Sequence, residues 1–330
     1  MRASLSLDLD NQWSYMKTHG DAAWQSFPSY LELLVPRVLD VLDRLGLRIT
    51  FFLVGQDAAL PQHAGVFSEI ARRGHEIGNH SHHHEPWMHQ RSAEAIESEL
   101  ACAEESIEKA TGQRPRGFRG PGFTRSDSIL QTLVRRGYLY DASSLATFIG
   151  PLARAYYFRS AKLSEADRRE REDLFGGFAD GFRPNRQHTI QLQNGSITEI
   201  PVTTFPLLRV PIHISYVLYA STISPVAALA YFRAALQWCK LTRTEPSILL
   251  HPLDFLSGDE CPELAFFPAM SMNPETKRRV VIESLEALAG GFDVRPLIEM
   301  VGPAGNSQGT NGKLATVPPI EVLRRTSDRV

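Results

Sequence analysis

Short apolar runs alternate with amphipathic stretches along nearly the whole of this 330-residue chain, and that alternation confines it to a parallel sheet with helices outside. Residues 4–9, 48–54, 75–79, 117–119, 138–140, 197–202, 247–251 and 292–294 read as strands. Residues 30–45, 61–73, 92–111, 126–136, 227–239 and 275–288 repeat apolar side chains at helical spacing, and several stop at a glycine. An open sheet and a barrel both satisfy the pattern. Both collect functional residues beyond the carboxyl ends of their strands. Asp8, Asp10, His80, Arg119, Asp141 and His251 all stand at such ends.

The rhythm breaks between residues 144 and 224, where an aromatic segment, a charge cluster and a Gly-rich turn intervene. We read this stretch as an insertion that shapes a substrate pocket within a catalytic domain spanning 1–300, because long loops in compact domains are usually functional or disordered. Residues 301–330 have the composition of a flexible tail. A net charge of −2 offers no basic face for nucleic acid. Cys102, Cys239 and Cys261 show no paired spacing, which argues against both disulfides and a thiolate metal site. No stretch reaches the roughly 18 apolar residues that span a bilayer. With no apolar signal core ahead of the first strand, the expected location is cytoplasmic, or the inner face of a membrane. The apolar stretches 145–158 and 205–219 read as core first, although beside a pocket they would suit a lipid-linked sugar and peripheral membrane association.

Six of the eleven histidines fall between His75 and His89. Neutral imidazole is the commonest metal-binding side chain, and a helical turn would put His80 and His84 on one side. Asp8 and Asp10 follow an apolar run, so a carboxylate could complete a two-histidine, one-carboxylate site. His82 and His83 need no fixed role, His75 is expected to orient its strand, and His188 and His213 are expected to be structural. Trp87 is expected to pack near the site rim.

On these residues the chain resembles the polysaccharide deacetylases (NodB-homology domain, carbohydrate esterase family 4). Asp8-Leu9-Asp10 is similar to the Asp-x-Asp form of the first motif, and His80-Ser81-His82-His83-His84 to His-Ser-x-x-His. Arg119-Gly120-Pro121-Gly122 follows Arg-x-Pro, Asp141 opens the fourth motif, and Leu249-Leu250-His251 closes the set. The usual Trp four residues after that Asp is Leu145 here. The resemblance implies a distorted parallel (β/α) barrel of about seven strands.

It also implies roles. Asp10, His80 and His84 would hold a divalent metal, zinc first, with cobalt, nickel or iron as alternatives. Asp8 would act as the base, with Arg119 keeping it ionised. His251 would protonate the departing amine, with Asp141 keeping it cationic, and a backbone N–H near Gly122 and Phe123 would receive the oxyanion. The expected activity is a metal-dependent hydrolase of a C–N amide bond, an N-deacetylase acting on an amino sugar or glycolipid precursor. A deformylase of a formamido sugar, an allantoinase-like amidohydrolase and an inactive carbohydrate-binding homologue are the competing readings.

Overall fold

The computed structural model describes residues 1–302 apart from 162, 173 and 175, and leaves the side chains of 160 and 170 aside. The expected tail lies outside the described residues from 303 onward. In chain order the elements are β1 (Arg2–Leu9), α1 (Gln12–His19), α2 (Leu31–Arg44), β2 (Thr50–Leu53), α3 (Gly55–Ala58), α4 (Ala64–Arg72), β3 (Glu76–Asn79), α5 (Ala93–Thr111), β4 (Gly117–Phe118), α6 (Asp127–Arg136) and β5 (Tyr140–Asp141). Then follow α7 (Gly150–Ser160), α8 (Glu165–Glu170), β6 (His188–Leu192), β7 (Gly195–Glu199), α9 (Ile214–Ser221), α10 (Pro225–Leu241), β8 (Ser247–Leu250), α11 (Pro274–Gly291) and β9 (Asp293–Arg295).

Seven parallel strands run in the order β7-β5-β4-β3-β2-β1-β8, with β6 added antiparallel at one end and β9 beside β1. This is the distorted parallel barrel expected from the sequence. Its ladder stays open among the described residues. Its two ends are nonetheless drawn together, since the Thr203 N–H donates to the Ser247 carbonyl at 2.9 Å and the Ser247 N–H to Thr203 Oγ1 at 2.8 Å.

β1 shows how the strands position the site. After Arg2 every residue is buried, Ala3, Leu5, Leu7 and Leu9 alternating with Ser4, Ser6 and Asp8. A two-residue period sends these sets to opposite faces. The first joins the main core with α2, α10 and α11. The second gives the other face a line of polar groups ending in Asp8. The helices start and stop where the sequence punctuates them: Ser92 and Ser126 cap α5 and α6, and Gly112 (φ 71°) and Gly137 (φ 78°) end them in the left-handed region.

The insertion is more structured than the sequence suggested. It holds α7, α8, the β6–β7 hairpin and α9. The apolar stretch 205–219 divides: Ile212, Ile214, Val217 and Leu218 are core, while Leu207 and Leu208 are exposed. Its first part is strapped across the molecule. Tyr157 Oη–H and Arg171 Nη1 both donate to the Thr18 carbonyl (2.5 and 2.6 Å), and the Arg171 guanidinium lies 4.5 Å from the Trp87 ring, covering it. Among the described residues no helix is long and apolar enough to cross a membrane.

Candidate metal centre and active site

Asp10, just beyond β1, and His80 and His84, just beyond β3 with β2 between the two strands, bring one donor atom each to within 4.8 Å of one another, all three residues buried. Asp10 Oδ1 lies 3.1 Å from His80 Nε2 and 3.0 Å from His84 Nε2. His80 Nδ1 is 2.6 Å from the Arg119 carbonyl, which can only accept. Nδ1 therefore carries a proton, which leaves Nε2, the nitrogen that faces Asp10, as the one able to ligate an ion. Burial raises the Asp10 carboxyl, but His84 and His80 outweigh it and hold it well below the usual carboxylate range. Two imidazole nitrogens and one carboxylate oxygen, converging and buried, form a donor set suited to a borderline divalent ion. A divalent metal fits these residues.

The convergence does not come from a helix, as the four-residue spacing suggested. Residues 80–84 form a loop, and it turns through left-handed backbone at Ser81 (φ 65°) and His84 (φ 52°). A non-glycine residue in that region costs roughly 1–2 kcal/mol. The loop is held against this cost by side chains the sequence reading passed over. Asn79 Oδ1 accepts the Ser81 N–H (2.7 Å), Ser81 Oγ accepts the His84 N–H (3.1 Å), and Glu99 Oε1 accepts the N–H groups of His82 and His83. Such strain is found where surrounding structure over-determines the backbone. On the Asp10 side, Asp57 Oδ1 receives Asn11 Nδ2 (2.7 Å) and Trp13 Nε1 (2.9 Å), fixing the turn into α1. Burial still pushes the Asp57 carboxyl up to about 7 against those two bonds.

Asp8 stands beside the cluster and pairs with Arg119. The guanidinium is fully buried, with Nη1 2.7 Å from Asp8 Oδ1 and 2.8 Å from Ser6 Oγ, and Nε 2.9 Å from the Ala142 carbonyl. It also lies 4.4 Å from the Phe52 ring. His75 accepts the Ile49 N–H at 3.2 Å, which makes it the strand-orienting residue expected; burial takes its imidazole down to about 4.

One expectation needs correction, and two are sharpened. Asp141 does not reach His251: it bonds Ser143 Oγ at 2.5 Å, lies 3.8 Å from Arg125 Nε, and faces Glu199. Burial first, then the Glu199 carboxyl, push the Asp141 carboxyl well up, so it is a poor source of negative charge for a histidine. His251 instead meets Ser215 Oγ at 3.0 Å, and Ser215 Oγ lies 2.8 Å from Asp254 Oδ1. His213, expected to be structural, lines the same cavity, with its ring centroid 5.8 Å from that of His251. The Phe123 N–H is already given to the Gly120 carbonyl (2.9 Å), which leaves the Gly122 N–H as the donor at this turn. Gly122 has φ 57°, and a Cβ there would meet Pro86 at 3.1 Å, so glycine is required twice over.

Asp8, Asp10, His80, His84, Gly122, His213 and His251 border one cavity of about 620 Å³, walled by β1, the 80–84 loop, the 122–125 turn, the insertion and α9. Leu145, standing where the related motif has Trp, lines it too.

Residues 16–140 match the family model described as Polysaccharide deacetylase. Among curated relatives, peptidoglycan-N-acetylmuramic acid deacetylase of Bacillus subtilis is 34% identical over 104 residues, covering 31% of this chain and 38% of the relative. Peptidoglycan-N-acetylglucosamine deacetylase of Bacillus cereus is 30% identical over 103 residues, covering 31% of this chain and 46% of the relative. The matched segment therefore spans less than half the length of either relative. Among solved structures, one from Mycobacterium smegmatis assigned to the polysaccharide deacetylases superposes with a TM-score of 0.60 at 18% identity, covering 91% of this chain and 88% of the other. That likeness is one of fold.

Proposed function

Because residues 16–140 carry the polysaccharide deacetylase signature, we propose that the chain is a metal-dependent hydrolase that removes the acetyl group from an N-acetylated amino sugar. One observation carries this reading: Asp10, His80 and His84 converge in the same cavity that Asp8 and His251 border from two sides. Asp10, His80 and His84 would hold the ion, zinc by preference, and a bound divalent ion polarises the amide carbonyl and acidifies water. Asp8, paired with and oriented by Arg119, takes the proton of the attacking water. The Gly122 N–H donates to the oxygen that becomes negative as the carbonyl turns tetrahedral. His251 delivers a proton to the nitrogen, since an amide nitrogen leaves poorly without one. Acid and base groups of this kind contribute about 10²–10⁴-fold each.

In this reading residues 1–300 act as one catalytic unit and the insertion decides the substrate. Leu152, Phe178 and Phe182 are 71%, 61% and 72% exposed, on segments that line the cavity. Such an apolar rim favours a glycolipid form of the amino sugar, presented at the inner face of a membrane. The deciding experiment is a metal-supplemented assay on acetylated, formylated and cyclic amides. Acetate release supports the proposal, formate or a ring-opened product alone replaces it, and no product from any amide ends it. Flotation with liposomes and turnover of a polyprenyl-linked amino sugar test the glycolipid form.

A further inference from the structure

We propose that Ser215 and Asp254 are positioning residues for His251, the serine hydroxyl bridging ring and carboxylate so that Nδ1 keeps a proton and Nε2 serves the substrate. The inference rests on the reading of His251 as proton donor to the leaving nitrogen.

Donor and acceptor chemistry fixes the direction of the chain. An ionised carboxylate only accepts, so the Ser215 hydroxyl donates its hydrogen to Asp254 Oδ1 at 2.8 Å. Its oxygen is then left to accept at 3.0 Å from His251 Nδ1, which must carry hydrogen. Asp254 cannot turn away, because Oδ2 receives the backbone N–H of His251 itself at 2.8 Å. The histidine and its anchoring acid are therefore tied together by the short turn that follows β8. Ser215 comes from the first turn of α9, so the bridge forms only when that helix packs against the end of β8.

The charged and titratable neighbours of Asp254 act in both directions. Burial is the largest influence and leaves its carboxyl raised, while His251, its backbone N–H, Ser215 and the Lys277 ammonium act the other way and favour the carboxylate. Lys277 Nζ is itself held by the Leu256 carbonyl at 2.6 Å and lies 3.6 Å from Met270 Sδ. Tyr15 and Tyr219 face Asp254 as neutral phenols, both pushed up mainly by burial. On the other side of the His251 ring, His213 is kept neutral by burial first, then by His251 and Arg119. An interposed hydroxyl lengthens the distance from carboxylate to ring, and attraction falls with distance. The bridge thus fixes the tautomer while stabilising the imidazolium less than direct contact would, which suits a group that donates a proton to a leaving nitrogen.

The test uses the full chain labelled with ¹⁵N-histidine, with the His251 signals assigned by their loss in His251→Gln. The parent should show His251 protonated on Nδ1 when neutral. In Asp254→Asn the His251 N–H demands an oxygen, so the new NH2 group points at Ser215 and reverses the hydroxyl. The ring should then switch to the Nε2–H tautomer, and amide turnover should fall about 100-fold or more, as a wrong tautomer disables a catalytic histidine. Ser215→Ala should lose the tautomer preference, lower kcat on amides about 10- to 100-fold, and move the alkaline limb of the pH profile to lower pH. Ser215→Thr should restore all three. A parent that hydrolyses no amide would sink the functional reading, and the tautomer measurements would still decide this one. An Nδ1–H tautomer that persists in both Asp254→Asn and Ser215→Ala overturns it.

Discussion

The wall built around Asp8 and the metal-ligand cluster and the wall built around His251, which leave the paired strands β1 and β8, solve the same problem by different means. On the first, Asp8 is gripped directly by a fully buried arginine, and every partner comes from a strand end of the sheet. On the second, His251 leaves its strand alone and is met by a hydroxyl from α9, a helix of the insertion, with its carboxylate one step further away. A buried ion pair holds its carboxylate charged at the cost of desolvating both groups. A hydroxyl bridge sets orientation while leaving the ring freer to gain and lose a proton. The first arrangement suits a base that must stay ionised, the second an acid that must cycle.

The largest effect expected is from Asp10→Ala, which removes the one oxygen shared by both imidazoles. Bound metal, measured by elemental analysis of the purified chain, should drop to background together with amide hydrolysis. Metal retained at full stoichiometry would break the assignment of that wall. Next come variants that separate the two walls while keeping the metal. Asp8→Asn should slow an acetamido sugar and an activated aryl acetate alike, by about 10²–10⁴-fold. His251→Gln should slow the amide by a similar factor and leave the aryl ester, whose leaving group needs no proton, within about tenfold. Equal losses on both substrates in both variants would erase the distinction.

Stability should separate the walls as well. Arg119→Met strands a buried Asp8 carboxylate and is expected to cost about 3–5 kcal/mol in denaturant unfolding. Asp254→Asn keeps its hydrogen bonds by turning over and should cost about 1–2 kcal/mol. The smallest effect is expected from Gly122→Ala, which forces a left-handed alanine against Pro86 at a cost of roughly 1–2 kcal/mol. That variant should lower the Tm by a few degrees and reduce kcat through displacement of the Gly122 N–H.

Legibility followed chain distance. Asp8, Asp10, His80 and Arg119 could be picked out because each lies at the end of a strand-like run, a local property, and His84 by its four-residue spacing from His80. His251 could be found by its strand end too. Its partners could not: Asp254 sits three residues further on, in a turn with no distinctive pattern, and Ser215 is one serine among many. Asp141 was matched to His251 by motif order alone, and Arg125 and Glu199 claim it in the fold. The loop that turns His80 and His84 together was misread as a helix because a four-residue spacing does not reveal left-handed residues between.

By itself, then, the amino-acid order determined the layered α/β architecture, the strand ends and which side chains are candidates to hold a metal, since period and punctuation act over a few residues. Tertiary structure alone decided which carboxylate serves which histidine, which N–H remains free, and that His213 enters the cavity. Those choices depend on contacts between segments far apart in the chain, where burial, distance and competition for hydrogen-bond partners select one pairing from several that the sequence allows.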